Sequence, residues 1–249
     1  MNQQVLLVTG GSRGIGAAVA LLAARRGYAV AVNYTRDANA AADVVRTIEA
    51  EGGRAVAVQA DVGDEAQVMA MFESVDARLG RLTALVNNAG VVDLQARVDG
   101  MTVARLERML RINVIGSFVC AREAIRRMST RHGGNGGAIV NLSSAAARLG
   151  SPGQYVDYAA SKGAIDTFTV GLAREVADEG IRVNAVRPGL IDTDIHASGG
   201  LPDRAAQLAP SVPMKRTGSA LEVAEAVVWL LSPAANYTTA ALLDVAGGR

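Results

Sequence analysis

The chain has 249 residues, of which half are apolar and a fifth are charged. That length is enough for one large domain with a substantial core. The 25 basic residues nearly balance the 24 acidic ones, and the net charge of +1 gives no general attraction to nucleic acid or to an anionic membrane. A single cysteine, Cys120, rules out a disulfide within the chain and predicts a reducing, cytoplasmic location.

Cysteine and histidine usage gives no sign of a metal or thiol centre. Cys120 lies in an apolar run and is interpreted as a small core residue. The two histidines, His132 and His196, do not have metal-ligand spacing, so no metal site is predicted. No apolar stretch reaches the roughly 18 residues that span a bilayer, and the first residues do not resemble a signal peptide.

Short β-branched runs alternate with helical stretches along the chain. The predicted strands cover residues 5–9, 29–33, 55–59, 82–87, 138–142, 182–186 and 242–245. The predicted helices cover residues 15–26, 38–51, 65–79, 158–179 and 221–231, with one or two more in 102–130. This alternation predicts a single α/β domain over residues 1–249, a Rossmann-type doubly wound parallel sheet of about seven strands with helices on both faces. The long irregular stretch at 190–216 is predicted to be a substrate lid.

A glycine-rich turn, Thr-Gly-Gly-Ser-Arg-Gly-Ile-Gly at residues 9–16, joins the first strand to the first helix. Glycines let the backbone approach phosphates, and the helix N-terminus supplies free N–H groups and a positive dipole end. The turn therefore predicts a dinucleotide site formed by Gly10, Ser12, Arg13, Gly14, Ile15 and Gly16. It lacks the Gly-Lys-Ser/Thr ending of a nucleoside-triphosphate loop, which disfavours phosphoryl transfer. A glycine-rich loop without a ligand is the alternative.

The end of the second strand indicates which dinucleotide is bound. An acid there would accept hydrogen bonds from the ribose 2′-OH of NAD, whereas a nearby arginine suits the 2′-phosphate of NADP. No acid stands at the expected place, and the candidate contacts are Asn33, Tyr34, Thr35 and Arg36. Arg13 and Arg36 are predicted to face a 2′-phosphate, which favours NADP(H) over NAD(H). Asp37 is interpreted as the cap of the next helix.

Tyr158 and Lys162 are spaced to share one face of a predicted helix. A lysine ammonium close by would lower the pKa of the phenol from its usual value near 10. The phenol would then exchange a proton with a carbonyl or alcohol oxygen as hydride moves to or from nicotinamide. Tyr155 has no lysine four positions on and is rejected for this role. Taken alone, the Tyr–Lys spacing also fits an incidental surface pair.

Taken together, these features resemble the classical short-chain dehydrogenase/reductase family over essentially the full chain. The motifs that carry the resemblance are the turn at 9–16, Asp61-Val62, Asn87-Asn88-Ala89-Gly90, Asn113, Ser143-Ser144, Tyr158-x-x-x-Lys162 and Pro188-Gly189. The resemblance implies a catalytic tetrad of Asn113, Ser144, Tyr158 and Lys162. Tyr158 would be the acid/base, and Lys162 its partner, which also binds the nicotinamide ribose. Ser144 would hold the substrate oxygen, and Asn113 a water that links Lys162 to solvent.

The resemblance also implies the remaining cofactor contacts. Asp61 and Val62 would lie by the adenine. The residues that would line the cofactor after the fourth strand are Asn87, Ala89 and Gly90, whereas Asn88 and Ser143 would be structural. The residues that would contact the nicotinamide and its carboxamide are Pro188, Gly189, Ile191 and Thr193. The walls of the substrate pocket are expected at 91–100, 149–155 and 191–214. A homotetramer is expected, assembled through the helices at 102–130 and 158–179 and through the last strand.

The predicted function is NADP(H)-dependent hydride transfer between nicotinamide and a carbonyl or secondary alcohol. A 3-oxoacyl thioester, a sugar and a small ketone or alcohol all remain open as substrates. Arg97, Arg148 or Arg204 would suit an acidic substrate, although each is also explained as a surface charge. The alternatives are an NADP(H)-binding sensor without turnover and a sugar-nucleotide epimerase, which usually has a longer chain.

Overall fold

The computed structural model describes residues 3–193 and 207–249. Its strands are β1 Gln4–Val8, β2 Tyr28–Tyr34, β3 Arg54–Gln59, β4 Ala84–Asn87, β5 Gly137–Leu142, β6 Ile181–Pro188 and β7 Leu242–Val245. All pair in parallel in one sheet, in the order β3-β2-β1-β4-β5-β6-β7. The predicted doubly wound, seven-stranded sheet is confirmed.

Helices cover both faces of this sheet. They are α1 Gly14–Arg25, α2 Ala38–Ala50, α3 Glu65–Leu79, α4 Val103–Leu110, α5 Gly116–Met128, α6 Ala146–Leu149, α7 Val156–Val176 and α8 Ala220–Leu231. One core contains α1, α2 and α8, and the other contains α3, α5 and α7. In β1, Leu6 and Val8 enter the first core while Val5 and Leu7 enter the second, which explains its unbroken apolar sequence. None of the described helices is long and apolar enough to cross a bilayer.

The element boundaries differ from the sequence-based ones in three informative places. The stretch predicted at 102–130 is α4 and α5 joined by a π turn, Arg111–Ile115. Helix α7 begins at Val156, so Tyr158 lies inside its first turn. Strand β6 continues to Pro188 because its last residues pair with β7, where Pro188 stands opposite Val245.

The order of strands reverses between β1 and β4, which places a crevice at their carboxyl ends. Two loops are fastened together there. The Asn88 side-chain amide donates to the carbonyl oxygens of Thr9 and Gly10, both at 2.9 Å. The Thr9 hydroxyl accepts the backbone N–H groups of Asn88 and Ala89. The glycine turn is therefore held in place by the loop after β4, and the structural role predicted for Asn88 agrees with these contacts.

Two other predictions concern Cys120 and the lid. Cys120 is fully buried, and burial raises the pKa of its thiol to about 12, so its interpretation as a core residue is confirmed. The middle of the predicted lid, residues 194–206 with His196 and Arg204, lies outside the described residues.

Candidate active site

The glycine turn needs its glycines for two separate reasons. Gly10 and Gly14 have φ angles of 60° and 53°, in the left-handed region that other residues rarely adopt. At Gly16, a Cβ atom would lie 2.3 Å from the Gly10 carbonyl oxygen, which no side chain can tolerate. The helix can therefore approach the turn closely only with glycine at this position.

The N-terminus of α1 is free to bind an anion. Among the described residues, no acceptor bonds the backbone N–H groups of Gly14, Ile15 or Gly16, and the first helical bond runs from Ala17 N to Arg13 O at 3.2 Å. No side chain caps the helix and no acidic residue lies in its first turn. These donors and the positive helix end fit a dinucleotide pyrophosphate.

Asn33 lies beneath the turn. Its side-chain Oδ1 accepts the Gly10 N–H at 3.1 Å, and its carbonyl accepts the Gly11 N–H at 2.8 Å. Its amide donates to the carbonyl oxygens of Val58 and Ala60. The side chain is fully buried, so it shapes the turn from below, and its predicted contact with the cofactor stays a prediction.

Strand β2 ends at the partly buried Tyr34, and residues 35–37 beyond it are exposed. The Asp37 carboxylate accepts the Ala40 N–H at 2.9 Å and caps α2, as predicted. Arg13 and Arg36 are both exposed and form no ion pair within residues 3–193 and 207–249. Two guanidinium groups without an ion pair in the described residues are thus available, one in the glycine turn and one after β2, and Asp37 between β2 and α2 is already bonded.

Of the predicted cofactor contacts at the ends of β3 and β4, one is partly exposed and two are buried. Asp61 is partly exposed, and its Oδ1 accepts the Gly63 N–H at 2.8 Å. Val62 is buried, close against Gly116. The Asn87 amide is also buried and donates to Ser117 O and Asn141 Oδ1. The side chains of Val62 and Asn87 thus pack in the core, and their predicted place beside the cofactor stays a prediction.

Strand β5 and helix α7 bring the predicted catalytic side chains together. The Lys162 ammonium donates to the Leu142 carbonyl oxygen at 2.7 Å and lies 5.7 Å from the centre of the Tyr158 ring. The Tyr158 and Ser144 hydroxyls are hydrogen-bonded to each other. Ser143 is buried and donates to the Lys162 carbonyl oxygen, which agrees with its predicted structural role.

Burial dominates the electrostatics of this cluster. It lowers the pKa of Lys162 to about 8, and the nearby Asp166 carboxylate opposes the change. It raises the pKa of Tyr158 above its usual value, and the hydrogen bond from Ser144 opposes that change. The lysine ammonium is hydrogen-bonded to Leu142 O, and in the protein alone it does not produce the predicted fall in the phenol pKa.

Asn113 lies in the π turn and reaches across to the loop after β4. Its Oδ1 accepts the Val91 N–H at 2.8 Å, and its amide donates to Val91 O and to the Ser161 hydroxyl. A Cβ atom on Gly90 would lie 3.5 Å from Asn113 Oδ1 and 3.6 Å from Lys162 Nζ. Asn113 therefore lies near Lys162, as the tetrad requires, and its amide fixes the loop beside it.

One cavity joins these groups to the glycine turn. Its walls include Ile15 from the turn and the three side chains of Ser144, Tyr158 and Lys162. The predicted nicotinamide contacts that also line it are Pro188, Gly189, Ile191 and Thr193. Gly90 lines it too, as does Leu149 from a predicted pocket wall.

Arg97 and Arg148, two of the arginines predicted to meet an acidic substrate, are not among the described residues that line this cavity. Arg97 pairs with Asp99 and Arg148 pairs with Asp244, both near the surface. Arg249 lines the cavity instead. No motif in the sequence singled it out, because only the folded chain brings residue 249 next to Ser144. The described ranges contain no group of three or more His, Cys, Asp and Glu side chains that could hold a metal ion.

A free helix N-terminus at the switch point of a doubly wound sheet, opening on the same cavity as a Ser–Tyr–Lys cluster, defines a dinucleotide-dependent oxidoreductase. The comparison with known families agrees with this class. The model described as enoyl-(acyl carrier protein) reductase matches residues 10–249. The chain belongs to the short-chain dehydrogenase/reductase family.

The alignments with similar proteins extend over nearly the whole chain. An uncharacterized oxidoreductase of Escherichia coli, YgfF, is 57% identical over 98% of this chain and 99% of its own length. The 3-oxoacyl-[acyl-carrier-protein] reductase FabG of Staphylococcus aureus is 39% identical over 97% of this chain and 96% of its own length. A solved short-chain dehydrogenase from Burkholderia cenocepacia, in complex with NADP, is 36% identical with a TM-score of 0.89, and the match covers 98% and 97% of the two chains.

Proposed function

We propose that this chain is an NADP(H)-dependent oxidoreductase that transfers a hydride between nicotinamide and a carbonyl or secondary-alcohol substrate. The observation that carries the proposal is the shared cavity. Ile15 of the glycine turn and the hydrogen-bonded hydroxyls of Ser144 and Tyr158 line one space. The phenol of Tyr158, which is the proton donor, therefore faces the same cavity as the N-terminus of α1.

The free N–H groups at 14–16 hold the pyrophosphate. Arg13 and Arg36 hold the 2′-phosphate, since both are exposed and unpaired within the described residues and Asp37 is engaged in capping α2. When bound, the nicotinamide supplies or accepts the hydride. The NADP complex of the Burkholderia relative supports the same preference in this chain.

Ser144 and Tyr158 act on the substrate oxygen. The Ser144 hydroxyl orients that oxygen, and the Tyr158 phenol exchanges a proton with it. Because burial raises the pKa of Tyr158, the phenol is protonated at neutral pH and suited to donate its proton to a carbonyl oxygen. The charge of Lys162 stabilises the phenolate that this transfer leaves, and Asn113 keeps the neighbouring loop in place.

The experiment is NADPH oxidation across a panel of carbonyl compounds, for wild type and Tyr158→Phe. Loss of the proton donor should lower kcat by about 10²- to 10⁴-fold, while NADPH binding, measured by nucleotide fluorescence, stays unchanged. Tyr237→Phe is the matched control, since the Tyr237 side chain is fully exposed. Equal rates for wild type and Tyr158→Phe across the panel would favour the non-catalytic sensor.

The proposal extends to a cytoplasmic homotetramer. Apolar side chains are exposed on α4 and α5, among them Leu106, Leu110 and Phe118, and Phe118 stacks on Phe168 of α7 at 3.8 Å. Exposed Trp229 on α8 offers a second apolar surface. Helices α4, α5 and α7 correspond to the stretches 102–130 and 158–179 that were predicted to form the assembly surfaces. Light scattering should give four times the chain mass, and a monomer would contradict this assembly. The balanced charge supports a small-molecule substrate rather than nucleic acid.

A further inference from the structure

Arg105 of α4 joins three separate segments of the chain. Its Nε and Nη2 donate to the two carboxylate oxygens of Asp157 at 2.7 and 3.2 Å, and its Nη1 donates to the carbonyl oxygen of Leu94 at 2.6 Å. The side chains of Arg105 and Asp157 are 12% and 2% exposed, so water has little access to the ion pair. A bidentate pair of this kind has a fixed geometry, and Arg105 therefore connects α4, α7 and the loop after β4 rigidly.

One end of this connection lies beside the catalytic phenol. Asp157 belongs to the first turn of α7 and is followed directly by Tyr158. A carboxylate in the first turn is stabilised by the positive end of the helix. Because the helix is continuous through both residues, the bond from Arg105 to Asp157 fixes the position of the turn that carries Tyr158.

The other end of the connection lies on a wall of the cavity. Val92 lines that cavity. Before it, Val91 is bonded to the Asn113 side chain through both its backbone N–H and its carbonyl oxygen. After it, the Leu94 carbonyl oxygen is bonded to Arg105. The wall is therefore anchored on both sides of Val92, and Arg105 supplies one of the two anchors.

A second arginine of α4 contributes less to this loop. Arg108 binds Asp93 at 2.5 Å, but the two side chains are 42% and 27% exposed. Ion pairs in contact with water contribute little to stability, whereas breaking a buried pair is strongly unfavourable. The position of the loop relative to α4 therefore depends mainly on Arg105.

We propose that Arg105 is a positioning residue for the hydride-transfer reaction, an inference that rests on the proposed oxidoreductase function. One planar group bonds both Asp157 and Leu94 O. It thereby sets the separation between the Tyr158 phenol and the Val92 wall. A substrate that packs against this wall is held with its reacting oxygen within reach of the phenol. A displacement of about 1 Å in such an arrangement lowers a rate by about 10²-fold.

The test separates the chemical step from cofactor binding. Single-turnover oxidation of NADPH is followed with the most active carbonyl compound of the panel, and NADPH binding is measured by nucleotide fluorescence. Arg105→Met should lower the single-turnover rate by about 10- to 100-fold and leave the Kd of NADPH unchanged. Arg105→Lys keeps the charge opposite Asp157 but lacks the planar fork that bonds both acceptors at once, so it should retain part of the rate.

Arg127→Met is the matched control for loss of stability. Arg127 is also a mostly buried arginine that connects two helices, since it lies on α5 and binds Asp76 of α3 at 2.6 Å. It is not among the described residues that line the cavity of Ser144 and Tyr158. Its variant should unfold at a lower urea concentration than wild type and keep the wild-type single-turnover rate.

A second variant tests the path through Asp157. Asp157→Asn removes the partner charge but keeps an acceptor oxygen, so it should lower the rate less than Arg105→Met does. The two changes combined should lower the rate no further than Arg105→Met alone, because both break the same connection. Losses that multiply in the combined variant would show that Arg105 does not act through Asp157, and would overturn the proposal.

Amide hydrogen exchange tests the connection without turnover. Exchange should quicken in residues 91–97 and 156–160 of Arg105→Met, and not in those of Arg127→Met. Unchanged exchange there, or equal single-turnover rates for Arg105→Met and wild type, would overturn the positioning role. If wild type oxidised NADPH with no carbonyl compound, the proposed function would fail, and the exchange data would decide separately whether Arg105 connects the two segments.

Discussion

Replacing Lys162 with methionine should stabilise the fold while abolishing turnover. Methionine is of similar length but uncharged, so it does not require burial of an ammonium group. In the folded protein the pKa of Lys162 is about 8, against an ordinary value of 10.5. Since one pKa unit corresponds to about 1.4 kcal/mol, keeping this lysine charged in the fold costs about 3 kcal/mol.

The cost has a defined pH dependence. Below pH 8 the lysine is protonated in both folded and unfolded chains, and the full cost applies. Between pH 8 and 10.5 the folded protein gives up the proton while the unfolded chain keeps it, so wild type gains stability as the pH rises. The stability advantage of Lys162→Met should therefore shrink by about 2 kcal/mol between pH 7 and pH 10.

The assay is urea unfolding without cofactor at both pH values, for wild type, Lys162→Met and Lys215→Met. Lys215 is exposed, so its variant should track wild type at both pH values. The lost hydrogen bond to Leu142 O is a constant offset, and the change with pH is the informative quantity. A difference between Lys162→Met and wild type that stays flat from pH 7 to 10 would refute the argument.

Three further predictions concern charged groups. Arg36→Glu should raise KM for NADPH about tenfold or more and leave KM for NADH unchanged or lower, as steady-state kinetics with both cofactors will show. Asp166→Asn should destabilise the fold by about 3 kcal/mol in urea unfolding, because the mostly buried Arg187 loses its 2.7 Å ion pair and keeps only the more distant Asp244. The same change should lower the pKa of Lys162 further, because the Asp166 charge no longer opposes the effect of burial. The rise of stability with pH should therefore begin at a lower pH in Asp166→Asn than in wild type. Asp37→Ala should cost about 1 kcal/mol through loss of the α2 cap, and an unchanged unfolding midpoint would contradict this.

The fold was predictable because its periodicity is local. A central strand such as β1 is buried on both faces, and several helices carry their own capping residue, as Asp64 does for α3. These signals lie within a few neighbouring residues. The π turn at Arg111–Ile115 had no such signal, since an extra residue in a helical turn leaves composition and spacing almost unchanged.

The site was predictable where its residues form contiguous motifs, as in the glycine turn and the Tyr158–Lys162 pair. It was not predictable where the role of a residue depends on which way its side chain points. Sequence places Asn33 at the strand end, but only the sheet shows that its side chain lies beneath the turn. Arg249 needed the glycine turn after β7 and the contact with Arg148, two features separated by about a hundred residues.

Lys162 is attached to β5 at both of its ends. Its ammonium donates to Leu142 O, and its carbonyl accepts the hydroxyl of Ser143. The helix that carries Tyr158 cannot slide along the sheet without breaking both bonds. The phenol therefore keeps a fixed height above the strands through each catalytic cycle, and the movement that admits substrate and releases product has to take place in other parts of the chain.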